Sequence, residues 1–156
     1  MAYHDELIQH AEFLADLPGP PKQADMRRAV SAAYYALFHL LTTEAASNWN
    51  NVHQQARFAR LFDHGRMNAV SNRILQQKAP TDPAEAAVFD TLKKIAANFV
   101  TLQQQRHSAD YDNSKNWSGT EVYEAILQAQ EAMLSWGSIR NDPMAQDYLF
   151  DFIGKR

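Results

Sequence analysis

Apolar residues recur at intervals of three and four along nearly the whole chain, and no stretch alternates long enough to predict a strand. In "HDELIQHAEFLADL" the spaced positions are Leu7, Ala11 and Leu14, approaching Leu17. "PGPP" then stops the helix, because proline lacks an amide donor and clashes with the preceding turn. A second helix is predicted from about Gln23 or Ala24 to Ser47, with Met26, Val30, Ala33, Leu37 and Leu40 on one face and Tyr34 beside them. Its length and apolar content mark it as the central helix. The region "NVHQQARFARLFDHGRMNAVSNRILQQ" is predicted to be a pair of helices broken near "DHG", since Gly65 weakens a helix interior and often sits just past an end. In "TDPAE", Asp82 is placed to cap, Pro83 fits the first helical position and Glu85 falls where a capping partner is wanted. The stripe that follows is Val88, Leu92, Ile95, Phe99 and Leu102. Ser118 and Glu121 have capping-box spacing before Val122, Ile126, Ala129 and Met133, and Asp142–Pro143 opens a short amphipathic tail. The pattern predicts an all-α, antiparallel up-and-down bundle of four to five main helices plus a short C-terminal helix.

Two places break the pattern. "RRAVSAAYYALFHLL", residues 27 to 41, sets two arginines, adjacent tyrosines and a histidine into the most apolar part of the chain. Further on, the stripe through Phe99 and Leu102 continues onto Arg106 and Asp110, an odd place for charges unless they meet a partner. Composition narrows what such a site can be. With 156 residues, 46% of them hydrophobic, the chain suits one domain spanning 1–156, its core at about 3–138 and its tail at 142–153. The absence of cysteine removes thiol catalysis, disulfides and cysteine-based metal sites. No run approaches a membrane span and the start does not resemble a secretory signal, so a cytoplasmic protein without membrane contact is expected. Neither His-Glu-x-x-His, a phosphate loop nor a nucleophile elbow occurs, and no metal and no cofactor are expected.

"SAAYYALFH" (31 to 39), followed some 70 residues later by "RHSADYD" (106 to 112), resembles the HEPN superfamily, the higher eukaryote and prokaryote nucleotide-binding helical domains. In the small stand-alone bacterial members a Tyr-Tyr-Ala helix packs antiparallel to one bearing an Arg and an Ala-Asp-Tyr signature. The resemblance covers about residues 3 to 138. It implies a bundle that is usually dimeric, often with a polar cleft at the dimer interface, in toxin–antitoxin, defence or RNA-processing systems. Many members are metal-independent ribonucleases, and others only bind. Catalytic members carry a histidine four to six residues after the arginine, where this chain has Asp110 and Tyr111. Ala32 also stands where relatives often have arginine, and Arg57 to His64 is a literal match to the Arg-to-His spacing but lies in the third helical region.

The expected ligand-binding set is therefore Arg106, Asp110 and Tyr111 facing Tyr35 and Arg28. A catalytic set would be Arg106, His107 and His39, the cation serving the crowded phosphate and the histidines the proton transfers. His107 is about 100° around the helix from Arg106, on a face with Gln103 and Tyr111. The plainer reading leaves Arg106 and Asp110 as a helix-end ion pair and the tyrosines as core. A second feature stands apart from the family. Residues 45–81 hold five basic residues against the single acid Asp63, on a chain of net charge −3. A helix continuing through them would align His53, Arg57, Arg60 and His64 in one stripe beside Trp49, Phe58 and Phe62, a nucleic-acid patch or simply a solvated face. The expected function is binding of RNA or a nucleotide, as a homodimer. A metal-independent ribonuclease is the alternative, and an interaction subunit with a cognate protein partner, for example a nucleotidyltransferase, is a third.

Overall fold

The computed structural model describes residues 1–154, and among them every regular element is a helix. They are α1 (Tyr3–Ala15), α2 (Gln23–Ser47), α3 (Val52–Ala59), α4 (His64–Gln76), α5 (Pro83–Tyr111), α6 (Gly119–Ile139) and α7 (Pro143–Asp151). No helix among the described residues is long and apolar enough to cross a membrane.

α2 is buried on almost every side from Ala29 to Leu41, as expected of a helix at the centre of a bundle. Alanines at 29, 32, 33 and 36 let its neighbours come close. α1, α5 and α6 surround it. Side-chain contacts give the directions. Tyr3 at the start of α1 meets His39 late in α2. Arg27 at the start of α2 meets Ala109 at the end of α5, so that pair too is antiparallel. Gln23 reaches the Trp117 carbonyl just before α6 while Glu44 pairs with Arg140 at its end, so α2 and α6 run in parallel. The chain thus runs up and down through α1, α2, α5 and α6, with α3 and α4 filling the crossover.

Helix starts follow the capping chemistry. Asp82 accepts from the Glu85 amide, Ser118 and Glu121 form a reciprocal capping box, and Asp142 accepts from the Met144 amide. The break between α3 and α4 differs from expectation in its cause. Gly65 does not end α3; Asp63 caps α4 by accepting from the Gly65 and Arg66 amides, and Gly65 lies in the first turn. α7 docks on its own bundle through Ala145, Tyr148, Leu149 and Phe152, and the Tyr148 hydroxyl shares a 2.7 Å hydrogen bond with buried Ser71 of α4. Phe150 and Ile153 stay outside.

Candidate functional site

The antiparallel packing of α2 on α5 sets Arg106 against the paired phenols. Its guanidinium carbon lies 5.3 Å from the centre of the Tyr34 ring and 5.7 Å from that of Tyr35. Both rings are within range of a cation–π attraction, worth most where water is excluded. The side chain is only 13% exposed. Among the described residues its one ion pair, with Asp110 one turn on, is loose at 3.6 Å, and the buried Nε has no hydrogen-bond partner. A guanidinium has five donors. This one is held against the two rings, with its Nε left without a partner among the described residues.

Tyr34 is the pivot. It is fully buried, and burial pushes its phenol pKa well above the usual value against a smaller opposing pull from the Arg106 charge. The protonated hydroxyl lies 2.7 Å from Nδ1 of His64 and shares a hydrogen bond with the ring. That ring stacks on Phe38 at 4.3 Å, and the Gln103 amide donates to the His64 carbonyl at 2.9 Å. Gln103 in turn accepts from Asn68. Burial depresses the His64 pKa, and the Arg106 charge adds to the depression while Asp63 opposes it. The imidazole therefore favours the neutral form.

His64 is the clearest correction to the sequence reading. The basic stripe required one helix through residues 53–64, but α3 ends at Ala59 and the Asp63 cap restarts the chain in α4. The cap turns His64 inward against Tyr34, Tyr35 and Phe38, leaving His53, Arg57 and Arg60 exposed on and just after α3. Phe62 is buried, whereas Trp49 is half-exposed and stacked on Phe58. There is no four-residue patch.

The other expected residues separate into two hollows. A groove of about 630 Å³ between α1, α2 and the end of α5 is lined by His10, Arg28, Ser31, Tyr35, Asp110 and Tyr111. A shallower hollow of about 420 Å³ on the outer side of α5 is lined by Gln103, Gln104, Arg106, His107 and Ser108. Arg106 and Asp110, one turn apart on the same face, thus line two different hollows. His107 sits 5.0 Å from the Tyr111 ring, on the face that helical geometry predicts. His39 is not drawn to Arg106: its ring stands edge-on to Tyr3 at 4.9 Å, and burial lowers its pKa, helped by His64 and His4. The three residues of a catalytic set are not linked by hydrogen bonds.

Arg27 was not singled out for the site, yet it organises it. Its guanidinium donates to the carbonyls of Ala109, Asp112 and Lys115 at 2.9, 2.8 and 2.6 Å. The last carbonyls of a helix have no partner within it. Arg27 supplies one and fixes the end of α5 where Asp110 and Tyr111 project. The signal was present in the spacing, for Arg27 lies two turns before Tyr34 on the stripe facing α5. No group of three or more His, Asp or Glu side chains able to hold a metal ion occurs among the described residues.

No family model, curated protein or solved structure matches this chain. The functional reading rests on the geometry and on the sequence motifs.

Proposed function

We propose that this chain is a HEPN-like helical protein that binds RNA or a nucleotide, as a homodimer, with Arg106 as the phosphate contact at the end of α5. The observation that carries the reading is the guanidinium on Tyr34 and Tyr35, with a loose carboxylate partner and an unpartnered buried Nε. A largely buried guanidinium whose carboxylate partner is loose is stabilised by a phosphate oxygen reaching its exposed edge through charge-assisted hydrogen bonds. Arg28 in the adjoining groove adds positive charge, and Tyr35 a ring face, for the rest of a nucleotide. Binding is favoured over cleavage, because His64 already uses Nδ1 on the Tyr34 phenol and His39 faces α1.

Fluorescence anisotropy with a short single-stranded RNA, with 5′-AMP as competitor and chelator present, tests this. Saturable, salt-sensitive binding is expected, weakened about tenfold or more in Arg106→Ala while the circular dichroism spectrum is unchanged. Equal affinity in that variant overturns the reading. Arg106-dependent cleavage of the RNA in chelator would replace binding alone with the ribonuclease.

A further inference from the structure

The seam between α2 and α5 holds a second ionisable group on the same two rings as Arg106. The His64 imidazole centre is 5.7 Å from the Tyr34 ring centre and 5.8 Å from that of Tyr35. Guanidinium and imidazole thus share one pair of phenols. Gln103, just before Arg106 on α5, ties the His64 carbonyl to that helix. Other titratable or charged groups approach the ring from several elements. His39 of α2 stands edge-on to Tyr3 of α1 and is close enough to feel both His64 and His4. Asp63 is committed to the Gly65 and Arg66 amides, and the Arg66 Nε donates to the Asp151 carbonyl on α7. His107 lines the outer hollow with Arg106 but is exposed and packs on Tyr111.

We propose that phosphate binding on Arg106 is coupled to protonation of His64, so that the site takes up a proton from solvent and holds its anion more tightly as the pH falls. The inference rests on Arg106 being the phosphate contact. An anion on the guanidinium offsets the charge that the imidazole feels, and by linkage a protonated imidazole supplies a second positive charge to the anion. The 2.7 Å contact with Tyr34 suits both states of the ring. A neutral Nδ1 accepts from the phenol, and a protonated one donates to the phenol oxygen. The alternatives inside the seam are poorer. Burial keeps the Tyr34 phenol protonated, an arginine keeps its charge throughout, and His39 faces α1. His64 is half-buried, so its proton exchanges with water without opening the core. The sign follows. Free His64 titrates below the ordinary 6.5 with the Arg106 charge as one cause, and the anion raises that value. Between the free and bound values the complex holds more protons than the free chain, so affinity climbs as the pH falls through them.

The test uses the full chain and an oligouridylate with a 5′-hydroxyl end, which does not itself titrate between pH 8 and 5.5. 5′-AMP is unsuitable, because its phosphate gains a proton in that range. Anisotropy should show affinity rising about threefold to tenfold from pH 8 to 5.5, the low end of ordinary coupling between sites. His64→Gln should lose most of the rise, while His53→Gln on α3 keeps it. In the wild type, histidine-labelled NMR should show His64 titrating at higher pH with RNA than without, a readout that stands even where His64→Gln fails to fold. A His64 titration that RNA leaves in place overturns the coupling and leaves Arg106 as the phosphate contact. So does a rise that persists in His64→Gln and vanishes in His107→Gln. No saturable binding at any pH overturns the Arg106 reading and the coupling with it.

Discussion

Two regions of this molecule put arginine beside aromatic rings, and they do so in opposite physical settings. At the α2–α5 seam, Arg106 is held against Tyr34 and Tyr35 with little solvent access, and an inward-turned histidine shares the same phenol. On α3, Arg57 stands exposed beside the stacked Trp49 and Phe58, with no buried polar group to orient. Composition does not separate them. Burial does: in the seam a charge left incomplete is costly and so points to a ligand, whereas on α3 water completes it at no cost.

The largest expected difference is in stability. Phe99 is fully buried and packs on Tyr34 at 5.6 Å between ring centres, so Phe99→Ala should cost about 3–5 kcal/mol in urea unfolding. Phe58→Ala removes a ring that is only partly buried and should cost well under half of that. Equal losses would show that the α3 end is as firmly built as the seam.

Binding should divide the regions next. Loss of a charge-assisted contact costs about 1.5–3 kcal/mol, so Arg106→Ala should weaken RNA binding about tenfold to a hundredfold. Arg57→Ala with Arg60→Ala, removing exposed charges worth about 0.2–1 kcal/mol each, should change affinity severalfold at most. A larger effect from the α3 pair would return the nucleic-acid role to the basic segment.

Much of the fold could be read from the sequence, because it rests on local rules. The proline stop after Leu17, the Asp82–Pro83 start and the Ser118–Glu121 box each depend on a few adjacent residues. The approach of Arg106 to the tyrosines was also legible, since a charge on an apolar stripe must face something. What could not be read were the events between helices. Only the three-dimensional path shows that Arg27 caps α5 eighty residues away, or that a cap at Asp63 rotates His64 off the α3 face. A stripe drawn through 53–64 assumes an unbroken helix, and one aspartate was enough to redirect its last member.

That aspartate offers a smaller test. Asp63→Ala should cost about 1 kcal/mol through the lost cap, and it should also loosen the Tyr34–His64 hydrogen bond. Asp142→Ala, which removes a cap of the same kind on α7, should cost a similar amount and leave RNA binding alone. If Asp63→Ala weakens binding as well, the α4 turn belongs to the site.

The smallest effect is the pH dependence of stability, and its sign follows from burial. His64 and His39 have folded pKa values below the ordinary 6.5, so near and below that value the unfolded chain binds more protons than the folded one. Their contribution to stability is fully present above pH 6.5 and is lost as the pH falls through the depressed folded values. The melting temperature should therefore drop on acidification from neutrality. His64→Gln, which keeps a polar side chain without a titrating ring, should flatten part of that drop. Adding 5′-AMP should flatten it a little, because an anion on Arg106 offsets the charge that adds to burial in depressing the His64 pKa. A profile that steepens in His64→Gln would show that the protonated ring is the form the seam favours.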